Sequence, residues 1–286
     1  MLSAAELKYL AKAIVRRALP PQFFYVWDGW RGKLNASETN VQKTFNYLQY
    51  MFRAAECVIA DKQIIEVGSG RYARLGLRLV AAGAARVSLL DLYAVPLDDP
   101  RHREILENDF AELGLDATGL EKVEVFATET TKCDSSPLVA SADVIFSISV
   151  FEHLRDPLAV HQKCLHWLKP GGIAIHSIDF RDHDDFSRPF EMLKFSESSW
   201  RRWLDPRGGC HLNRWRMNDH VEAAKRAGFQ DVRAIVLDSD AEGLRRVRPR
   251  LHSDFAGRRD NELAALGALV IGRKPAAGIH HPMSMD

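Results

Sequence analysis

Ile64-Ile65-Glu66-Val67-Gly68-Ser69-Gly70-Arg71-Tyr72-Ala73 decides how this chain is read. A short apolar run ends in two glycines, and residues 72–83 then carry a helical pattern closed by Gly83. Short apolar runs bounded by glycine suit buried strands. Glycines at the turn let the backbone reverse tightly and approach a ligand closely. Asp91 ends a second apolar run, Arg86–Asp91. A carboxylate there, about twenty residues past the glycines, accepts hydrogen bonds from both hydroxyls of a ribose. The pattern points to a nucleoside-type ligand. The plain alternative is a tight strand–helix connection with a surface Asp.

Working outward, strand and helix patterns alternate. The spacing predicts strands at 62–67, 86–91, 122–127, 143–149 and 172–178, helices at 72–83 and 157–168, and a helix at 218–227 with Asn218 as N-cap and Gly228 just past its end. Phe229–Leu237 and Leu263–Arg273 read as closing strands. Alternation of this kind argues for a parallel sheet covered on both faces. Before it, residues 4–18 are amphipathic, and Lys8, Lys12 and Arg16 form a basic stripe. That stripe offers a peripheral contact to an anionic membrane surface or a partner; the alternative is a solvated face. Pro20-Pro21 ends this helix, and an aromatic stretch with Tyr25, Trp27 and Trp30 precedes a helix expected over 41–60. The division predicted is an N-terminal helical extension or lid at 1–60, a ligand-binding domain at 61–274 and a patternless, disordered tail at 275–286. Tyr25, Trp27 and Trp30 are expected to help close an acceptor cavity.

The 286 residues are 46% apolar and 27% charged, enough for one large core. Lys plus Arg is 39 against 38 for Asp plus Glu, a net charge of +1, so no global field would draw nucleic acid. Cys57, Cys133, Cys164 and Cys210 are dispersed, with neither zinc nor disulfide spacing. Glu6, Lys8, Lys12, Arg16 and Arg17 break up any leader-like apolar stretch, and no run is long enough to span a membrane. The expectation is a cytoplasmic protein without a transmembrane segment; its oligomeric state is not legible.

Two cofactors fit the turn, a nicotinamide dinucleotide and S-adenosylmethionine. Glu66 separates them. A carboxylate two residues before Gly68 is a poor neighbour for a pyrophosphate but a good acceptor from the amino group of a methionine moiety. Here the chain resembles the class I S-adenosylmethionine-dependent methyltransferases. Residues 64–70 look like their first motif, and Leu89-Leu90-Asp91-Leu92 like their ribose-binding strand end. Residues 142–154 resemble their fourth strand and its loop, and 168–175 the turn into their fifth. Tyr72 stands where the family often has a third glycine. The resemblance implies an α/β, Rossmann-like, seven-stranded and mostly parallel sheet with helices on both faces. It also implies that Glu66, Gly68, Ser69 and Gly70 hold the methionine end, Asp91 the ribose, the segment with Thr128 and Glu129 the adenine, and the segment from Ser147 through Ser149 to Val150 the sulfonium.

Two segments carry candidate acid–base chemistry. Glu152-His153 follows the fourth strand, and Asp179 through Asp182, His183, Asp184 and Asp185 follows the fifth, on the same ligand-binding edge. Histidine titrates in the useful range, and a neighbouring carboxylate orients an imidazole and raises its basicity, which favours His183 over His153 with Asp182 in support. The alternatives are a divalent metal held by Asp179, Asp182, His183 or Asp185, or a polar loop whose carboxylates pair with Arg181 and Arg188. Residues 178–183, Ser198-Ser199-Trp200 and Asn213-Arg214-Trp215-Arg216 are similar to a bacterial methyltransferase group linked with sugar or polysaccharide biosynthesis. That implies a small-molecule or glycan hydroxyl as acceptor, for which Trp200, Trp203, Trp215, Arg202 and Arg214 supply faces and charges; burial and solvation explain them equally. The expected activity is O-methylation. The competing readings are an NAD(P)-dependent oxidoreductase and a non-catalytic cofactor-binding scaffold or partner subunit.

Overall fold

A computed structural model describes residues 38–115, 117–205 and 211–276, together with Leu7, Tyr9–Ala11 and Ile14–Val15. The expectations for Tyr25, Trp27 and Trp30, the basic stripe of Lys8, Lys12 and Arg16 and the end of the tail lie outside the described residues. The first described helix, α1 (Glu38–Ala54), leads into β1 (Gln63–Val67), α2 (Arg74–Ala81), β2 (Arg86–Asp91), α3 (Pro100–Leu113) and β3 (Val123–Ala127). Then come β4 (Ala142–Ile148), α4 (Pro157–Trp167), β5 (Leu168–Asp179), α5 (Met217–Ala227), β6 (Gln230–Ser239), α6 (Ala241–Val247) and β7 (Ala265–Arg273).

The sheet has seven strands in the order β3-β2-β1-β4-β5-β7-β6. All neighbouring pairs are parallel except those of β7, which runs antiparallel to β5 and β6. The order reverses between β1 and β4, so their C-terminal ends open a crevice, the place where such sheets bind ligands. Strand alternation divides the core. Ile64, Val87, Leu89, Val144 and Phe146 face α1, α2 and α3. Ile65, Val67, Leu90, Ile145 and Ala174 face α4 and α5. Helix α1 belongs to this core: Leu48, Met51 and Phe52 are buried, and the Phe52 ring meets that of Phe146 edge-on at 6.1 Å. A third cluster (Phe190, Leu193, Trp200, Leu212, Leu244, Phe255) makes a cap from the segments after β5 and between β6 and β7, and Leu10 packs against it.

Several boundaries differ from the sequence reading, each for a local reason. Asn218 is not the N-cap of α5. Arg216 is, and Asp219 accepts the Arg216 N–H at 2.8 Å. Helix α4 starts as expected at Pro157, with the Asp156 carboxylate accepting from Ala159 N–H. Strand β5 begins at Leu168 rather than 172, because Leu168 pairs with Ala142 across an irregularity before Val144↔Ile173. Strand β7 starts at Ala265, the residues before it closing a short helix at Asp260–Leu263. Helix α3 was not anticipated.

Candidate functional site

The β1–α2 turn is built around two left-handed glycines, with φ of +78° at Gly68 and +75° at Gly70. A Cβ on Gly68 would come within 2.2 Å of Val150 Cγ2, whereas one on Gly70 would meet nothing within 4 Å. The first glycine therefore lets the turn touch the loop after β4, and the second leaves open space above the backbone. Asp91 fastens the turn: its carboxylate accepts from Gly70 N–H at 2.9 Å and Tyr93 N–H at 2.7 Å. His102 braces it from α3. Its ring accepts Ala73 N–H at 2.9 Å through Nε2 and donates from Nδ1 to the Val95 carbonyl, and it packs edge-on against Tyr72. Tyr72, in the place of a third glycine, is thus part of a support that begins some thirty residues away in sequence.

Glu66 sits on the strand beneath this turn, buried, with Oε2 lacking a hydrogen-bond partner among the described residues. Burial first and the charge of Asp91 second push its carboxyl up to about 8. An unpartnered buried acceptor is costly unless a ligand completes it. Glu66, the open backbone over Gly70 and Asp91 fit S-adenosylmethionine: an acceptor for its amino group, room for its chain and a carboxylate at the ribose position. A pyrophosphate would face the Glu66 carboxylate instead. Thr128 lies beside the same edge, its N–H bonded to the Asp91 carbonyl at 3.1 Å. Glu129 is exposed and turned onto Lys132 and Thr131 of its own loop. Ser149 holds a left-handed φ of +54° and donates its N–H to the Ser177 carbonyl. The Ser147 hydroxyl is fully buried against His176 Nδ1 at 2.9 Å, beneath the edge rather than on it.

The two candidate histidines come together. The rings of His153 and His183 lie edge to face, 5.0 Å apart. His153 donates from Nδ1 to the His211 carbonyl at 2.7 Å, leaving Nε2 as the lone-pair nitrogen, and burial pushes its pKa down to about 4. His183 Nε2 is 3.7 Å from Asp179 Oδ2. Burial alone would raise Asp179, but His183 and a bidentate Arg181 outweigh it and hold this carboxyl below its usual range. The exposed Phe186 closes the group on the outside, stacked on His183 with the Arg181 guanidinium over its ring. Glu152 of the same loop is buried as well, and burial pushes it up to about 8.

Asp182 does not support His183: fully buried, it accepts from the Tyr9 hydroxyl at 2.6 Å and from Asp184 N–H, tying the N-terminal segment to the loop after β5. Burial lifts Asp182 to about 6, and burial with Asp182's charge raises Tyr9. Arg181 pairs within the loop as foreseen, but Arg188 reaches Glu191, at 2.6 Å. Arg214 and Trp200 do not present a sugar face: the buried Arg214 donates to the Met192 and Phe195 carbonyls, and Trp200 Nε1 to Leu212. Trp203 is exposed, with Arg202 over its ring. The metal alternative finds its carboxylates otherwise engaged, Asp185 by Ser187, and no group of three metal-donor side chains exists among the described residues.

A family model described as "Methyltransferase domain" matches residues 52–234. The ubiquinone biosynthesis O-methyltransferase of Vibrio cholerae is 26% identical over 171 residues, 51% of this chain and 63% of the relative, so the match spans under two thirds of that protein. Among solved structures, the complex between the Haloferax volcanii Trm112 methyltransferase activator and a methyltransferase gives a TM-score of 0.50 at 17% identity, covering 89% of this chain and 98% of that one. An S-adenosylmethionine dependent methyltransferase from Mesorhizobium loti gives 0.47 at 16% identity, covering 78% and 95%.

Proposed function

This chain belongs to the methyltransferase-domain family; on that premise we propose that it transfers the methyl group of S-adenosylmethionine to a hydroxyl oxygen of a small molecule or sugar, with His183 as the general base. The observation that carries the reading is the imidazole pair beside the crevice, with His183 Nε2 facing a carboxylate 3.7 Å away. When bound, S-adenosylmethionine supplies a sulfonium methyl group open to in-line displacement. Glu66 would hold the amino end, the Gly68–Gly70 turn with Ser69 the chain, Asp91 the ribose, and the Thr128–Glu129 segment the adenine side. Ser149 and Val150 would then border the reacting methyl.

At 3.7 Å Asp179 attracts the His183 ring without yet bonding it; a hydrogen bond formed on substrate closure would fix the proton on Nε2 and leave Nδ1 to accept the acceptor's proton as its oxygen attacks. Apo contacts of this length tighten when substrate closes the site. His153 is the weaker base, since its burial depresses basicity, and it serves by walling His183. Phe186 gives the acceptor an exposed ring at the rim, and Trp203 with Arg202 supplies a further aromatic surface suited to a sugar. The similarity to an O-methyltransferase at 26% identity supports oxygen as the target. No helix among the described residues is long and apolar enough to cross a membrane. We place the reaction in the cytoplasm on the dispersed cysteines.

The test is S-adenosylhomocysteine release from the purified chain against matched sets of phenols, polyols, sugars and amines. Hydroxyl acceptors are expected to turn over and His183→Ala to stop them. Release with amines alone would overturn the O-methylation reading.

A further inference from the structure

The edge of the sheet opposite the glycine turn holds a cavity of about 380 Å³. Its walls come from the connection between α1 and β1 (Cys57, Lys62), the starts of β4 and β5 (Asp143, Lys169) and the end of β7 (Arg273). Nothing in the methyl-transfer chemistry uses it. Three bases (Lys62, Lys169, Arg273) and two acids (Glu56, Asp143) line it, a surplus of one positive charge. Lys169 spends its charge on Asp143 at 2.8 Å, and Asp143 is already satisfied by Gln63 N–H at 2.9 Å. The Lys62 and Arg273 side chains make no hydrogen bond or ion pair among the described residues, although both act electrostatically on the half-buried Cys57 thiol and Lys62 also acts on Asp143. Glu56, the other acid of the lining, lies 3.9 Å from Arg233.

The connection that carries Cys57 and Lys62 is strained. Glu56 and Asp61, neither a glycine, hold left-handed φ values of +56° and +60°. Such conformations persist where the surroundings dictate them, and they collect at ligand sites. Two uncommitted cations with a third close by match a compact dianion, and arginine in particular matches phosphate by forked donation. The volume falls in the range of small-molecule pockets and far exceeds what one phosphate fills, so an organic remainder has room. We propose that this cavity is a second small-molecule site, separate from the cofactor crevice, that takes a phosphate monoester with its phosphate among Lys62, Lys169 and Arg273.

Calorimetry on the full chain at constant ionic strength, with glycerol 3-phosphate and with inorganic phosphate, tests it. Saturable binding is expected for both, tighter for the ester. Alkylation of Cys57 by iodoacetamide, followed by mass spectrometry of its peptide, should slow as the site fills, because an anion beside the thiol disfavours the thiolate and blocks access. Lys62→Glu and Arg273→Gln should each weaken the ester by at least about tenfold, as expected for loss of a charge-assisted contact, with S-adenosylhomocysteine affinity unchanged. Lys62 stands outside the sheet, so its variant keeps the test intact if Arg273→Gln fails to fold. Absence of saturable binding, an ester no tighter than inorganic phosphate, unchanged Cys57 alkylation, or competition with S-adenosylhomocysteine would each overturn the proposal.

Discussion

Glu66→Gln isolates the contact that ties cofactor affinity to pH. In the cofactor-free protein burial pushes Glu66 up to about 8, so at pH 7 only about a tenth of it is ionised. Accepting from an ammonium requires the ionised form. Binding therefore expels a proton, about 0.9 per cofactor at pH 7, and ionisation costs about 1.4 kcal/mol there. The sign follows: the bound state lowers this pKa, so affinity rises as pH rises toward 8 and falls about tenfold per unit below 7. Charge-assisted hydrogen bonds contribute about 1.5–3 kcal/mol, so Glu66→Gln should weaken binding little near pH 6 and increasingly toward pH 8. The assay is titration with S-adenosylhomocysteine between pH 5.5 and 7.5, below the range where the ligand's own amino group loses its proton. Repeating it in buffers of different ionisation heat counts the protons. A wild-type Kd that is flat over this range, with no buffer-dependent heat, would refute the argument; so would a Glu66→Gln variant that keeps the slope.

Three further outcomes are expected. His183→Ala should lower turnover at least about a hundredfold with cofactor affinity intact, and Asp179→Asn should shift the pH profile of kcat; if His183→Ala stays active while His153→Ala is dead, the base is His153. Gly68→Ala should cost about 2 kcal/mol or more in urea unfolding, from its left-handed φ and the clash with Val150, and weaken the cofactor as well; an unchanged midpoint would show that the turn yields. His161 is buried among Phe151 and Phe229, with both nitrogens unpartnered among the described residues, and burial pushes it down to about 3. Because its folded pKa lies below the unfolded one, stability is lost as pH falls below about 6.5, so His161→Phe should gain on wild type by about 1.4 kcal/mol per unit from there downward; a constant difference between pH 7 and 5 would refute this.

The turn and the sheet were readable because their signals are local. Gly68 and Gly70 must be glycines for a reason visible in the backbone, and Ile64, Ile65 and Val67 fill two core faces at once. Helix α3 also carries a local signal, since Leu106, Phe110 and Leu113 recur at helical spacing between Pro100 and Gly114, and it brings His102, the brace of the turn. Other features had no local signal. Nothing near Trp200 says that its ring will be buried, or that Arg214 will spend its donors on carbonyls of the cap.

The loop after β5 shows the limit most sharply. Asp179, Asp182, Asp184 and Asp185 look alike in sequence, and any could attend His183. What separates them is a residue near the start of the chain. Tyr9, stacked on Phe195, takes Asp182 out of solvent and away from the histidines. Asp179, the last residue of β5, stays on the rigid sheet and meets Arg181 and His183. A carboxylate fixed on a strand end orients an imidazole better than one on a free loop, since its position is set by the ladder. The N-terminal segment thus bears on the site through Asp182. Tyr9→Phe would take one of its donors from the buried Asp182 carboxyl, leaving the Asp184 N–H, and so loosen the loop that carries His183. Its expected signature is a fall in kcat with little change in cofactor Kd. Equal losses in both would instead mean that Tyr9 supports the fold as a whole.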